Sequence, residues 1–105
     1  MRLALSSADE ILAELAGRAR RLRLARNWTQ AELAARAGVS VASLRRFETS
    51  GHAALEVVVR LAQALQVVDG FEELFVEPAA SIAALEREER AAGRQRASRP
   101  GRGGS

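Results

Sequence analysis

Trp28-Thr-Gln-Ala-Glu-Leu-Ala-Ala-Arg-Ala-Gly-Val-Ser-Val-Ala-Ser-Leu-Arg-Arg-Phe-Glu48 decides how this 105-residue chain is read. The stretch describes two short helices joined by a tight turn. Thr29 is placed to cap the first helix, and Glu32 three residues on completes a capping box. Leu33, Ala34 and Ala37 share one face at helical spacing. Gly38 stands where the helix must stop and the backbone must turn left-handed, a conformation glycine adopts at little cost. Val39 plugs the corner, and Ser40 is placed to cap the second helix. In that helix Leu44 and Phe47 lie three apart on one face. Val41, Ala42, Ser43, Arg45 and Arg46 are left for the other faces.

Upstream of this unit, Ser7 and Glu10 form a second capping box, with acids in the first turn. Ile11, Leu12, Leu15, Ala19 and Leu22 then keep one helix face apolar as far as about Arg26. Gly17 weakens that helix by roughly 1 kcal/mol relative to Ala, so a bend or a two-piece helix is open there. Met1 to Leu5 is expected to fray. Asn27 is expected to take a left-handed turn.

Downstream, residues 54 to 66 read as a fourth helix with Leu55, Val58, Leu61, Ala62 and Leu65 inward. Asp69-Gly-Phe-Glu72 opens a short fifth helix, whose Phe71, Leu74 and Phe75 are expected to close the core before Pro78 ends it. Ala79 to Ala92 favours a helix with a thin apolar stripe of Ile82 and Leu85. Arg94 to Ser105 is mostly Gly, Arg, Ser and Pro, has nothing to bury, and is expected to be disordered. The expected organisation is all-α: a five-helix domain over 7–76, a helical extension over 77–93 and a disordered Arg/Gly-rich tail over 94–105.

Composition narrows the function. The chain has no Cys, so disulfides and thiolate metal sites are excluded, and a reducing cytoplasm is the expected location. Its apolar runs are too short to span a bilayer, and the N-terminus lacks the apolar core of a signal peptide. The single His52 cannot build a usual zinc site, and is either a solvated loop residue or a phosphate contact. No nucleophile–base pair or phosphate loop is present, so catalytic residues, metals and cofactors are expected to be absent. All 16 basic residues are Arg, and they are segregated. Arg18, Arg20, Arg21, Arg23, Arg26, Arg36, Arg45 and Arg46 face only Glu32 in their stretch, a local net of +7. Asp69, Glu72, Glu73, Glu77, Glu86, Glu88 and Glu89 face only Arg87, a local net of −6. A basic face for a polyanion, with an acidic region kept off it, follows.

The run from Leu22 and Arg23 through Trp28, Thr29, Gln30, Glu32 and Leu33, the corner Gly38-Val39-Ser40, and then Leu44, Phe47 and Glu48 resembles the helix-turn-helix of the Xre or lambda-repressor-like family. Gly51 and the helix Leu55 to Leu65 follow in the family's order, and the resemblance covers roughly residues 18 to 76. It implies a five-helix DNA-binding domain that binds double-stranded DNA. It also implies roles for matching positions. Gln30 matches a phosphate-contacting position. Val41, Ala42 and Arg46 match positions facing base edges. Ser43 matches a phosphate or base contact, and Ser40 caps the helix and touches phosphate. Arg46 is the leading residue for base readout; Arg45 reaches either phosphate or solvent. Arg23 and Glu48 match a bridging pair between the first and third helices, with direct phosphate contact by Arg23 the alternative. Trp28 is either a core lid or a DNA contact.

The implied function is a sequence-specific transcriptional regulator, repressor-like, acting as a homodimer on a two-fold site. Residues 66 to 85 supply the expected dimer surface, with Phe71, Phe75, Val76, Ile82 and Leu85 as its candidates. The short C-terminal extension without a sensor domain is also similar to HipB-type antitoxins, whose partner is a HipA-type kinase toxin. The chain departs from them in having no alternating β-branched segment after residue 77. The tail reads as a DNA arm, as a segment that folds on a partner, or as a solvated end.

Overall fold

The computed structural model describes residues 2–78 and 82–98. Every regular element among them is helical. Helices α1 (Ala8–Ala25), α2 (Gln30–Ala37), α3 (Val41–Ser50) and α4 (Leu55–Ala64) build the unit that ends at Glu72. Helix α5 (Ile82–Ser98) belongs to a second unit, residues 73–105.

The caps explain the boundaries. Ser7 and Glu10 exchange hydrogen bonds at the start of α1, and Thr29 and Glu32 do the same at the start of α2. Each pair satisfies two of the amides a helix N-terminus leaves open. The α1 helix passes through Gly17 without a break. Asn27 turns the chain at φ 57 between α1 and α2. Gly38 ends α2 at φ 71, and Gly51 ends α3 at φ 78.

Leu33, Leu44, Leu61 and Leu65 are fully buried and form the centre, one from each of α2, α3 and α4 and the last from the residue that caps α4. Ala34, Ala37 and Phe47 complete that centre, with Ala19, Leu22, Trp28, Val39 and Val41 packed around it. Helices of eight and ten residues are marginal alone, so burial against this aliphatic centre is what holds them.

Five expectations are corrected. The fifth helix is a six-residue 3-10 element over Val68–Glu73, marked by the Gly70 amide bonding back to Val67 at 3.2 Å. A short stretch with glycine inside it does not sustain the α ladder. Leu74 and Phe75 do not close the core; they are exposed, Phe75 at 96% with φ 63. Leu55 also faces solvent, because it lies roughly 100° round α4 from the line through Leu61 and Leu65. The frayed N-terminus instead carries a 3-10 turn at Leu3–Leu5, with the Ser6 hydroxyl donating to the Arg2 carbonyl. Helix α5 runs to Ser98, past residue 93, where the disordered tail was expected to begin; residues 99–105 lie outside the described residues.

Gly51 is needed twice over. Its φ is left-handed, and a Cβ there would sit 2.6 Å from the Leu12 backbone of α1. At Gly38 the nearest atom to such a Cβ is the end of the flexible Arg60 side chain, at 3.4 Å. Gly38→Ala should therefore cost roughly 1–2 kcal/mol from backbone strain alone. Gly51→Ala should cost clearly more, since α1 and α3 must also separate. Urea denaturation of the two variants side by side checks this, and equal losses would show that the α1–α3 approach is not tight.

Candidate nucleic-acid interface

Helix α3 is capped by Ser40, whose Oγ accepts from the Ser43 amide at 3.0 Å and donates to the Ser43 hydroxyl at 2.8 Å. Leu44 at 0% and Phe47 at 4% exposure press one side of the helix into the core. The opposite side carries Ala42, Arg45, Arg46 and Thr49 in solvent. Together with Ser50 these four line a shallow depression along the helix. Val41 is half-buried and packs on the core as well as lying at the helix start, and Ser43 is half-buried.

What fixes the rotation of α3 is a buried ion pair. Arg23 of α1 donates from Nε to Glu48 Oε2 at 2.7 Å and from Nη2 to Oε1 at 2.9 Å. The two side chains are only 9% and 3% exposed. The third guanidinium nitrogen, Nη1, donates to the Trp28 carbonyl at 2.9 Å. One arginine thus ties α1 to the corner before α2 and to the far end of α3. The fork geometry of guanidinium matches a carboxylate at two points, which lysine could not do. Burial opposes the charge on Glu48, but the hydrogen bonds from Arg23 and Gln30 outweigh it and hold the carboxyl below its ordinary range. The same pairing with Glu48 raises the pKa of Arg23.

Gln30, the first residue of α2, reaches into this pair. Its Nε2 donates to Glu48 Oε1 at 3.1 Å, and its Oε1 accepts a long 3.5 Å bond from Arg45 Nε. Both ends of the amide expected to meet phosphate are therefore in internal contacts. Thr49 is the exposed neighbour that sequence reasoning passed over. Its spacing, three after Arg46 and four after Arg45, places it on their face.

The other arginines divide. Arg26 donates to the Leu22 and Leu65 carbonyls at 3.1 and 2.7 Å, fastening α1 to the end of α4. Arg36 lies 4.3 Å over the Trp28 ring, a cation–π contact on a half-buried indole that packs on the core. Arg18 and Arg21 both approach Glu14, at 2.8 and 3.6 Å. Arg20 is exposed and close enough to Glu48 to favour its charge. His52 is exposed in the loop after α3, where its amide donates to the Ser50 hydroxyl. Among the described residues no group of three acids or histidines could hold a metal ion, and no helix is long and apolar enough to cross a membrane.

A helix-turn-helix family model matches residues 20–69, from the second half of α1 to the start of the 3-10 element. No curated protein matches the chain.

The lowered Glu48 pKa fixes the sign of an acid response. Its contribution is complete above the ordinary glutamate pKa and is lost as pH falls through the lower folded-state value. Glu10 and Glu32 are lowered too, by their capping bonds to Ser7 and Thr29. Glu48→Gln should cost about 3–5 kcal/mol at neutral pH, because Arg23 is left buried without its partner. It should also flatten the fall in stability on acidification, leaving only what the other carboxylates contribute. Denaturant titrations of both proteins across the acid range measure this; parallel curves would mean that Glu48 is not the acid-sensitive group.

Proposed function

We propose, on the premise that residues 20–69 belong to the Xre/lambda-repressor-like helix-turn-helix family of DNA-binding regulators, that α3 reads a specific double-stranded DNA site and that the protein is a repressor-like transcriptional regulator. One observation carries the reading: Leu44 and Phe47 anchor α3 while Ala42, Arg45, Arg46 and Thr49 face outward from the same helix. An α-helix fits the major groove, and α2 would lie across the backbone above it. Arg46 is assigned to guanine O6 and N7, and Ala42 to a thymine methyl. Val41 is assigned to a base edge beside Ala42, Ser40 and Ser43 to the phosphate backbone, and Arg20 flanks them from α1.

One ten-residue helix spans few base pairs, so the proposed binding unit is a homodimer with half-sites about 34–36 Å apart. The exposed Leu74, Phe75, Val76 and Leu85 offer apolar surface for the second copy. The same exposed run fits a different protein partner, which supports the antitoxin reading as the second one. A toxin-like kinase that co-purifies with the full chain separates the two.

Arg46→Ala should reduce affinity for the selected site by roughly ten-fold or more, with a far smaller effect on random duplex. Binding to both duplexes over a salt series reads this. Equal losses on the two, with a shallower salt slope, would move Arg46 to a phosphate contact.

A further inference from the structure

We propose that Gln30 is a positioning residue that aims the Arg45 guanidinium, making Arg45 a second base-reading side chain beside Arg46. The proposal rests on the DNA-reading role given to α3 and adds a residue-level device to it.

The argument begins at Glu48. Its Oε2 is held by Arg23 Nε, and its Oε1 by Arg23 Nη2 and Gln30 Nε2. An ionised carboxylate only accepts hydrogen bonds. Gln30 must therefore turn its NH₂ toward Glu48, which leaves its carbonyl no choice but to point the other way. That direction is the one Arg45 occupies, with Nε 3.5 Å from Gln30 Oε1. A buried ion pair thus sets the orientation of an amide, and the amide presents an acceptor at the edge of the exposed face.

The contact falls on the right atom. Engaging Arg45 at Nε leaves both Nη groups without a hydrogen-bond partner among the described residues, and those two can donate together to guanine O6 and N7. A loose arginine must give up rotamer freedom on binding, whereas a braced one has lost part of it already. Arg45 lines the same depression as Ala42, Arg46 and Thr49, the surface assigned to the base pairs. Among the described residues no ion pair engages either arginine, and only Arg45 has a side-chain hydrogen bond, so the two differ in that Arg45 alone is braced.

The test uses a duplex that the full-length wild-type protein selects from a randomised library, together with its single-base-pair variants. Gln30→Met keeps the side-chain volume and removes the amide. Gln30→Met and Arg45→Ala should each lose roughly ten-fold discrimination at the same base pair, and the double variant should lose no more than Arg45→Ala alone. Thermal unfolding of each variant tracks the fold separately. Weakening that is even across all duplexes, or losses that add in the double variant, would overturn the positioning role while leaving α3 as the reading helix. A wild-type protein that selects no consensus would overturn the reading role itself and the brace with it, a failure visible before any variant is made.

Discussion

The Arg23–Glu48 pair is the constraint on which the rest of the interface depends. Three nitrogens of one guanidinium are spent on the far end of α3 and on the corner before α2. Such a pair adds little net stability over an apolar replacement, because desolvation of both charges opposes their attraction. Its effect is geometric. An aliphatic core of Leu33, Leu44, Leu61 and Leu65 would tolerate small rotations of a ten-residue helix, since dispersion contacts are not directional. A bidentate carboxylate at Glu48 does not. With Glu48 fixed, the angular positions of Arg45 and Arg46, three and two residues before it, are fixed as well.

Backbone chemistry at the two corners does the complementary work. Gly38 sets the turn between α2 and α3, and Gly51 lets the end of α3 approach α1 at Leu12. The capping boxes at Ser7 and Thr29 fix where α1 and α2 begin. Each device is local, and each would be weak alone. Because all of them agree with the hydrophobic register, short helices that are marginal in isolation acquire one arrangement.

The same distinction between local and distant explains what the sequence disclosed. Caps, corner glycines and the Leu33–Ala37 and Leu44–Phe47 registers depend on neighbours within four residues, and they were legible. The Arg23–Glu48 bond joins residues 25 apart and was accessible only through the family resemblance. Gln30 was expected to meet phosphate because it matches such a position in the family; nothing in its neighbourhood announces Glu48, eighteen residues on. Arg26 and Arg36 looked like surface charge, yet their partners, the Leu65 carbonyl and the Trp28 ring, appear only once the chain is folded. Leu74 and Phe75 were drawn into the core by their apolarity. The Gly70-containing 3-10 element that precedes them does not continue the register that would bury them.

Charge counting is the part of the sequence reading that folding changes most. Eight arginines and one acid between residues 18 and 46 suggest a broad basic surface. Folding sorts them by partner. Arg23 is buried with Glu48, Arg26 is tied to two carbonyls, and Arg36 is stacked on Trp28. Glu14, just outside the counted stretch, offsets one charge of Arg18 and Arg21. Arg20, Arg45 and Arg46 are left exposed without an ion pair among the described residues, two of them on α3. The electrostatic part of affinity scales with phosphates neutralised rather than with arginines encoded. Five of these eight arginines have partners within the protein, so in the proposed pose discrimination falls to the few side chains whose direction the fold controls.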